Sequence, residues 1–186
     1  MSQTTRSILG FALICVGYAV VLLAQPPIQS EGRERTTFCA DDESFNHASL
    51  PTDDVLDALL RTSQAKVLSG ELEKLDREER RKLFRSVPVH LTGSDQSDYL
   101  VLGKPPMSGA DNDWFWIVRR GLSRTEVVLE AGGNCLELLK KRSDGYKDIR
   151  AMWGAASGLK ITWIYNYDGA QYRLAHKYTK TVSPTQ

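Results

Sequence analysis

The second half of the chain is dominated by a regular alternation of β-forming runs and turn residues. From about residue 98 onward, runs of β-forming and aromatic residues are separated by turn-forming clusters at intervals of about ten residues, which is typical of an antiparallel meander of hairpins. The pattern predicts about seven strands. They fall at residues 99–103, 114–120, 125–130, 135–141, 146–153, 159–167 and 171–177.

Turn and face signals refine this prediction. Asp168-Gly169 is the clearest turn, because Asp-Gly between two strands suits the positive φ angles of a type I′ turn. Other turns are predicted at residues 121–124, 131–134, 142–145 and 154–158. Alternation within the strand 159–167 places Trp163, Tyr165 and Tyr167 on one face of the sheet.

Helical signals precede the strands. Thr52 is a candidate N-cap for a helix that runs to about residue 63, and Asp76 with Glu79 forms a capping box for another helix, with Phe84 on its inner face. The stretch 65–75 either joins that second helix or stands alone. The fold class is therefore α+β, with two or three helices packed on a twisted antiparallel sheet that can curl into a barrel or a partial propeller.

The N-terminal segment predicts export. Residues 8–24 form 17 consecutive residues without a charge, preceded by Arg6, which is the pattern of a signal peptide. As a helix they span roughly 25 Å, less than the roughly 30 Å of a bilayer core, which favours cleavage after Ala24. Leu22 is large for its place before that cleavage site, so an uncleaved signal anchor is the alternative.

The cysteines are also consistent with a location outside the cytoplasm. A lipoprotein is excluded because the bulky Ile14 precedes Cys15. Cys39 and Cys135 are then the remaining pair, and disulfides persist outside the cytoplasm, so we expect them to be bonded; two free thiols are the alternative. The predicted organisation is a signal or anchor at 1–24, a lead-in at 25–50, one α+β domain at 51–178 and a tail at 179–186.

Composition and motifs exclude several functions. With 24 Lys and Arg against 23 Asp and Glu, the chain lacks the basic surplus of a nucleic-acid binder. There is no Gly-x-Ser-x-Gly elbow, no phosphate loop and no metal-ligand spacing among His47, His90 and His176, so no catalytic residue, metal or cofactor is predicted. The paired carboxylates of a hydrolase remain an alternative, with Asp95, Asp98, Asp111 and Asp113 as the candidates.

Two stretches of the chain resemble known proteins. Residues 90–98 resemble the loop D-x-N-x-D-G-x-x-D of calcium-binding repeats, but His90, Thr92 and Ser94 replace oxygen ligands, so calcium is not expected there. Residues 90–175 resemble a group of uncharacterised exported bacterial proteins. The resemblance rests on the phrases at 115–120, 145–149, 167–169 and 172–173, and it implies a shared fold and an exported address without any catalytic residue.

Exposed aromatic rings and a polar loop are the candidate ligand-binding features. Trp116 and Trp163 are expected in the core. Trp114, Tyr165, Tyr167 and Tyr172 are the candidates for a ligand-facing surface, because the three tyrosines flank the Asp168-Gly169 turn. The loop 105–113 adds Asp111 and Asp113.

The sequence thus favours a non-enzymatic binding module of the periplasm or cell envelope. Its partner would be a protein, peptide or glycan, and an inhibitor-like role is a more specific version. Contact with a membrane is expected only through residues 8–24, and only if they are not cleaved. The alternative is a periplasmic hydrolase that uses paired carboxylates.

Overall fold

The computed structural model describes residues 35–41, 43–93, 97–109, 113–121, 123–154 and 158–181. All of these described residues belong to one compact unit. The predicted export segment, residues 8–24, and the acidic candidates Asp95 and Asp111 lie outside the described residues. Within the described ranges, no helix is long and apolar enough to cross a membrane.

The α+β class is confirmed, with nine strands and four short helices in the part of the chain that is described. The helices are α1 Asp53–Leu59, α2 Ser63–Val67, α3 Ser69–Leu72 and α4 Arg77–Lys82, and a 3-10 turn covers Glu43–Phe45. The strands are β1 Thr37–Cys39, β2 Phe84–Val89, β3 Asp98–Gly103, β4 Asp113–Arg120, β5 Thr125–Gly133, β6 Cys135–Ser143, β7 Tyr146–Gly154, β8 Leu159–Tyr167 and β9 Tyr172–Thr181.

The seven predicted strands are present as β3 to β9, but the expectation of one sheet was wrong. Sheet A has five strands in the order β1-β6-β7-β8-β9, and sheet B has four in the order β2-β3-β4-β5. Every neighbouring pair is antiparallel. The chain changes sheet at Asn134, where the sequence predicted an ordinary hairpin turn.

Gly133 explains this change of sheet. Its φ is 157°, and a Cβ at this position would lie 3.0 Å from the backbone oxygen of Met152 in sheet A. Only glycine therefore allows β5 to pass this close to the neighbouring sheet. The chain can then enter β6 after a single intervening residue, without the space that a hairpin needs.

The alternation of β4 shows the layers of the fold. Phe115 and Ile117 belong to a core between the two sheets, whereas Trp116 and Val118 belong to a second core beneath the helices. β4 is thus apolar on both faces because it lies in the middle layer. The molecule has three layers in the order helices, sheet B and sheet A, and the two cores stabilise them by burying apolar side chains.

The helix ends agree only partly with the sequence. The capping box of Asp76 and Glu79 is confirmed at the start of α4. Thr52 occupies the N-cap position of α1, but its hydroxyl donates to Asp54 and makes no capping bond. The stretch 65–75 is not part of α4, because α2 and α3 are separate short helices. Phe84 is wrongly placed by the helical pattern: it begins β2 and is fully buried.

Two strands were not predicted. β1 has only three residues and pairs with β6, to which the predicted Cys39–Cys135 disulfide joins it. β2 contains Pro88, and a proline within a run of residues argues against a strand. It is tolerated because β2 is the edge strand of sheet B, where a missing N–H leaves no ladder bond unmade.

Both Asp-Gly hairpins were predicted, but the type I′ turn occurs at the other one. Asp144 and Gly145 both have positive φ, at 51° and 81°, so the pair that connects β6 to β7 fits a type I′ turn. At the β8–β9 hairpin, Gly169 has a φ of 92° and Asp168 instead accepts hydrogen bonds from the backbone of Ala170 and Gln171. The hairpin was predicted correctly, but its type was not.

Candidate functional site

β5 is the edge strand of sheet B opposite to β2, and a groove runs along it. The groove has a volume of about 700 Å³ and is lined by each residue from Thr125 to Glu130. Successive side chains of a strand point to opposite faces, so six consecutive lining residues mean that the groove follows the edge of the strand and not one of its faces.

The groove has two different walls. One wall comes from the end of α1 and the start of α2, with Ala58, Arg61 and Thr62. The other wall comes from sheet A, with Tyr165, Gln171 and Tyr172. The groove therefore lies between the helix layer and sheet A, with the edge of sheet B between its two walls.

Hydrogen bonding in the β4–β5 hairpin decides which backbone groups face the groove. The N–H of Gly121 donates to the carbonyl of Arg124 (2.9 Å), which makes this a hydrogen-bonded pair. Such pairs alternate along an antiparallel ladder, so Glu126 also bonds to β4. The N–H and C=O groups of Thr125 and Val127 consequently point away from β4, toward the groove.

A β-bulge limits the regular part of this edge. Val118 pairs with Val127 and Ile117 pairs with Leu129, so Val128 is an extra residue on β5. A bulge bends its strand and interrupts pairing. The regular pairing edge therefore ends at Val127.

Side-chain contacts of β5 hold the helix wall in place. Glu130 accepts hydrogen bonds from the N–H of Ser63 (3.1 Å) and of Gln64 (2.8 Å) at the start of α2. Thr125 donates to Asp54 of α1 (2.6 Å), and this bond is the largest cause of the lowered pKa of Asp54. The wall that contains Arg61 is thus fixed at two points along β5.

The charges in the groove are not equivalent. Burial of Glu126 by itself would raise the pKa of its carboxyl. Hydrogen bonds from Arg119 and Arg124 outweigh burial and hold that pKa below its ordinary value. Glu130 is occupied by the backbone of α2. Arg61 is exposed and makes no ion pair among the described residues. The groove therefore offers a cationic side chain on its helix wall.

The three tyrosines predicted to face a ligand are buried. Tyr165, Tyr167 and Tyr172 are only 7%, 4% and 6% exposed, so the expectation of an exposed aromatic patch was wrong. The aromatic face of β8 is the inner face of sheet A and packs against sheet B. Burial raises the pKa of Tyr165 to about 12, and the hydroxyl of Tyr172 donates to the carbonyl of Lys147 (2.9 Å). Tyr165 and Tyr172 nevertheless reach the wall of the groove.

The other predicted residues lie elsewhere. Trp114 is half-buried beside Trp116 under the helices, with ring centroids 6.5 Å apart. Asp113 lines a smaller cavity of about 260 Å³ together with Phe45 and Lys104, and burial raises the pKa of its carboxyl. The described members of the predicted set therefore lie at three separate places, and Asp111 lies outside the described residues.

Two buried carboxylates form the second notable group. Asp98 is 4% exposed, and burial raises its pKa to about 6 despite a hydrogen bond from the backbone of Arg120. Asp148 is fully buried, and its oxygens make no hydrogen bond within the described residues; Lys141 Nζ lies 3.5 Å away. The pKa of Tyr172 is raised, first by burial and then by the negative charge of Asp98, and Asp148 acts in the same direction. Neither carboxylate lines the groove along β5.

No sequence pattern signals the groove. Arg61, Thr62 and Gln171 carry no motif, and the strand 125–130 could be predicted without knowing that it lies at an edge. Within the described ranges, no three His, Cys, Asp or Glu side chains group to hold a metal ion. Comparison of the chain with protein-family models, curated proteins and solved structures finds no match.

Proposed function

We propose that this protein is an exported binding module of the periplasm or cell envelope whose groove along β5 takes an extended peptide segment of a protein partner. The single observation that supports this proposal is the groove itself, because its base is the edge of a strand. Exposed strand edges bind extended peptides by adding them to the sheet.

The groove supplies both kinds of contact that this mode needs. The backbone groups of Thr125 and Val127 face it and can hydrogen-bond a peptide main chain. Side chains of an added strand would alternate between the helix wall and the sheet A wall. One set would meet Arg61 and the other would meet the rings of Tyr165 and Tyr172, which favours a peptide with acidic and apolar residues in alternation.

The proposed location has separate support. Residues 8–24 have the pattern of a signal peptide, and the Cys39–Cys135 disulfide is a bond that persists in oxidising compartments. An inhibitor that inserts its partner's segment into the groove is one form of the proposed function.

A carboxylate hydrolase is the second candidate, and Asp98 is the observation that favours it. A carboxyl group with a pKa of about 6 is suited to donate a proton near neutral pH. Asp98 and Asp148 are, however, 4% and 0% exposed, and neither reaches the groove. Within the described residues, no opening leads a substrate to these two carboxylates, so we prefer the binding module.

The test is selection of ligands on the purified chain from Gln25, using a displayed library of random linear peptides and a glycan array as probes. We expect linear peptides with acidic residues to be enriched. Arg61→Glu should lower the affinity for a selected acidic peptide by about tenfold or more, because a charge-assisted contact is replaced by repulsion. Lys66→Glu on α2, outside the groove, is the matched control and should bind normally. Peptides that bind Arg61→Glu and the parent chain equally would contradict the proposal.

A further inference from the structure

Charge is unevenly distributed along this nearly neutral chain. The formal net charge is +1, whereas residues 149–181 contain five Lys and Arg and only one acidic residue, Asp168. Asp168 binds Arg173 at 2.9 Å, and Arg150 binds Glu137 of the neighbouring strand at 2.8 Å. Among the described residues, the lysines of the β8–β9 ribbon make no ion pair, so the remaining positive charge lies on them.

The strand register gathers two of these lysines on one face. Lys160 pairs directly with Lys180, Thr162 with Tyr178 and Ile164 with His176. These even-numbered positions of β8 alternate with Trp163 and Tyr165, which point into the molecule, so they form the outer face of sheet A. We call Lys160, Ile164, His176, Tyr178 and Lys180 the lysine face.

The lysine face combines charge with apolar surface. Tyr178 is 56% exposed, and both lysines are exposed. Ile164 is half-buried and lies on the same face of β8 as Lys160, four residues farther along the strand. Two like charges directly opposite each other repel, so their pairing is not explained by the stability of the sheet. The adjoining stretches 155–157 and 182–186 contain no Lys, Arg, Asp or Glu in the sequence.

From this geometry we infer that the lysine face binds the headgroups of an anionic phospholipid bilayer. The ammonium groups of Lys160 and Lys180 would meet lipid phosphates while their alkyl stems lie along the apolar surface. The ring of Tyr178 has the amphipathic character of side chains found at headgroup depth. Each lysine near an anionic surface strengthens binding by about fivefold.

A bilayer fits this face better than other polyanions. The face belongs to a sheet, so it is broad and suited to a planar surface. A nucleic acid would need a larger basic surplus than the net charge of +1 provides. The export segment predicted at residues 8–24 also requires that this chain meet a membrane surface.

The experiment measures co-sedimentation of the chain from Gln25 with lipid vesicles. This chain contains every residue of both cores and lacks the apolar segment that would bind any bilayer. We expect binding to phosphatidylcholine vesicles that contain phosphatidylglycerol, little binding to pure phosphatidylcholine, and weaker binding at high salt. The double variant Lys160→Glu/Lys180→Glu should lose about 25-fold or more in binding. Tyr178→Ala should weaken binding at every salt concentration.

Lys82→Glu on α4 is the matched control, because the helix layer lies on the far side of sheet B, and it should bind vesicles like the parent. Equal binding of the double variant and the parent would overturn the inference. Equally strong binding of the parent to a duplex DNA fragment would overturn the assignment to lipid. Lys180 lies on the edge strand β9, where a lysine can also prevent pairing between copies. Self-association of the double variant with unchanged vesicle binding would support that role and overturn ours.

Discussion

Cys39 and Cys135 lie directly opposite each other in the β1–β6 pair, with Cα atoms 4.0 Å apart. Backbone bonds from Ala40 to Asn134 and from Leu138 to Thr36 flank them, so they occupy a non-hydrogen-bonded position, where the two strands approach most closely. The disulfide thus fastens a strand of three residues to the edge of sheet A.

Removal of this disulfide should be strongly destabilising. The bond joins residues 96 apart in sequence, and closure of such a loop restricts the unfolded chain by about 4–5 kcal/mol. We expect Cys39→Ala/Cys135→Ala to lower the free energy of unfolding by about that amount in urea denaturation. A loss below about 1 kcal/mol would contradict the structural role of the bond.

Asp98 predicts a pH dependence of stability. Its folded pKa of about 6 lies above the ordinary value of 3.8, so the folded state binds the proton more tightly. Stability should therefore fall as the pH rises from about 4 to 6. Asp98→Asn removes this effect and should raise the free energy of unfolding by about 3 kcal/mol at pH 8, with little change at pH 4. A destabilised Asp98→Asn at pH 8 would show that the carboxylate is compensated.

Asp168 should behave in the opposite way. The backbone of Gln171, the side chain of Arg173 and the backbone of Ala170 lower its pKa to about 2, so it stabilises the fold above its ordinary pKa of 3.8. That contribution is lost as the pH falls from about 4 to 2. We expect Asp168→Asn to lower the thermal midpoint at pH 7 and to match the parent near pH 2. An equal loss at both pH values would indicate a packing effect.

Glu130 should control the attachment of α2 to β5. Removal of its carboxylate leaves the N–H groups of Ser63 and Gln64 without this acceptor. We expect Glu130→Ala to cost about 1–2 kcal/mol in urea denaturation. Glu130→Gln keeps an acceptor oxygen and should cost less. Amide exchange at Ser63 and Gln64 should rise in Glu130→Ala; unchanged exchange there would show that the bond does not hold the helix.

Much of the fold could be predicted from local patterns. Alternation and turn residues located β3 to β9, and they correctly placed Trp163, Tyr165 and Tyr167 on one face. The division into two sheets could not be predicted, because it depends on the close approach of Gly133 to Met152, which are distant in sequence. The tyrosines were expected at the surface because they flank the Asp168-Gly169 turn, but they lie in the core between the sheets, against which Trp163 also packs.

The candidate site was less predictable than the fold. A groove at a strand edge arises from the order of strands in a sheet and from two walls that are separated along the chain. Arg61 and Gln171 stand about 110 residues apart in the sequence, and neither belongs to a motif. The aromatic residues of β8 were the feature of the sequence that indicated a binding surface, but they form part of the core between the sheets.

The most direct test of the groove is amide hydrogen exchange of the chain from Gln25, with and without a peptide selected on it. If the peptide adds to the edge of β5, the amides of Thr125 and Val127 should become protected, while that of Glu126, already bonded to β4, should change little. Protection confined to other surfaces, with Thr125 and Val127 unchanged, would contradict the assignment of the groove as the binding site.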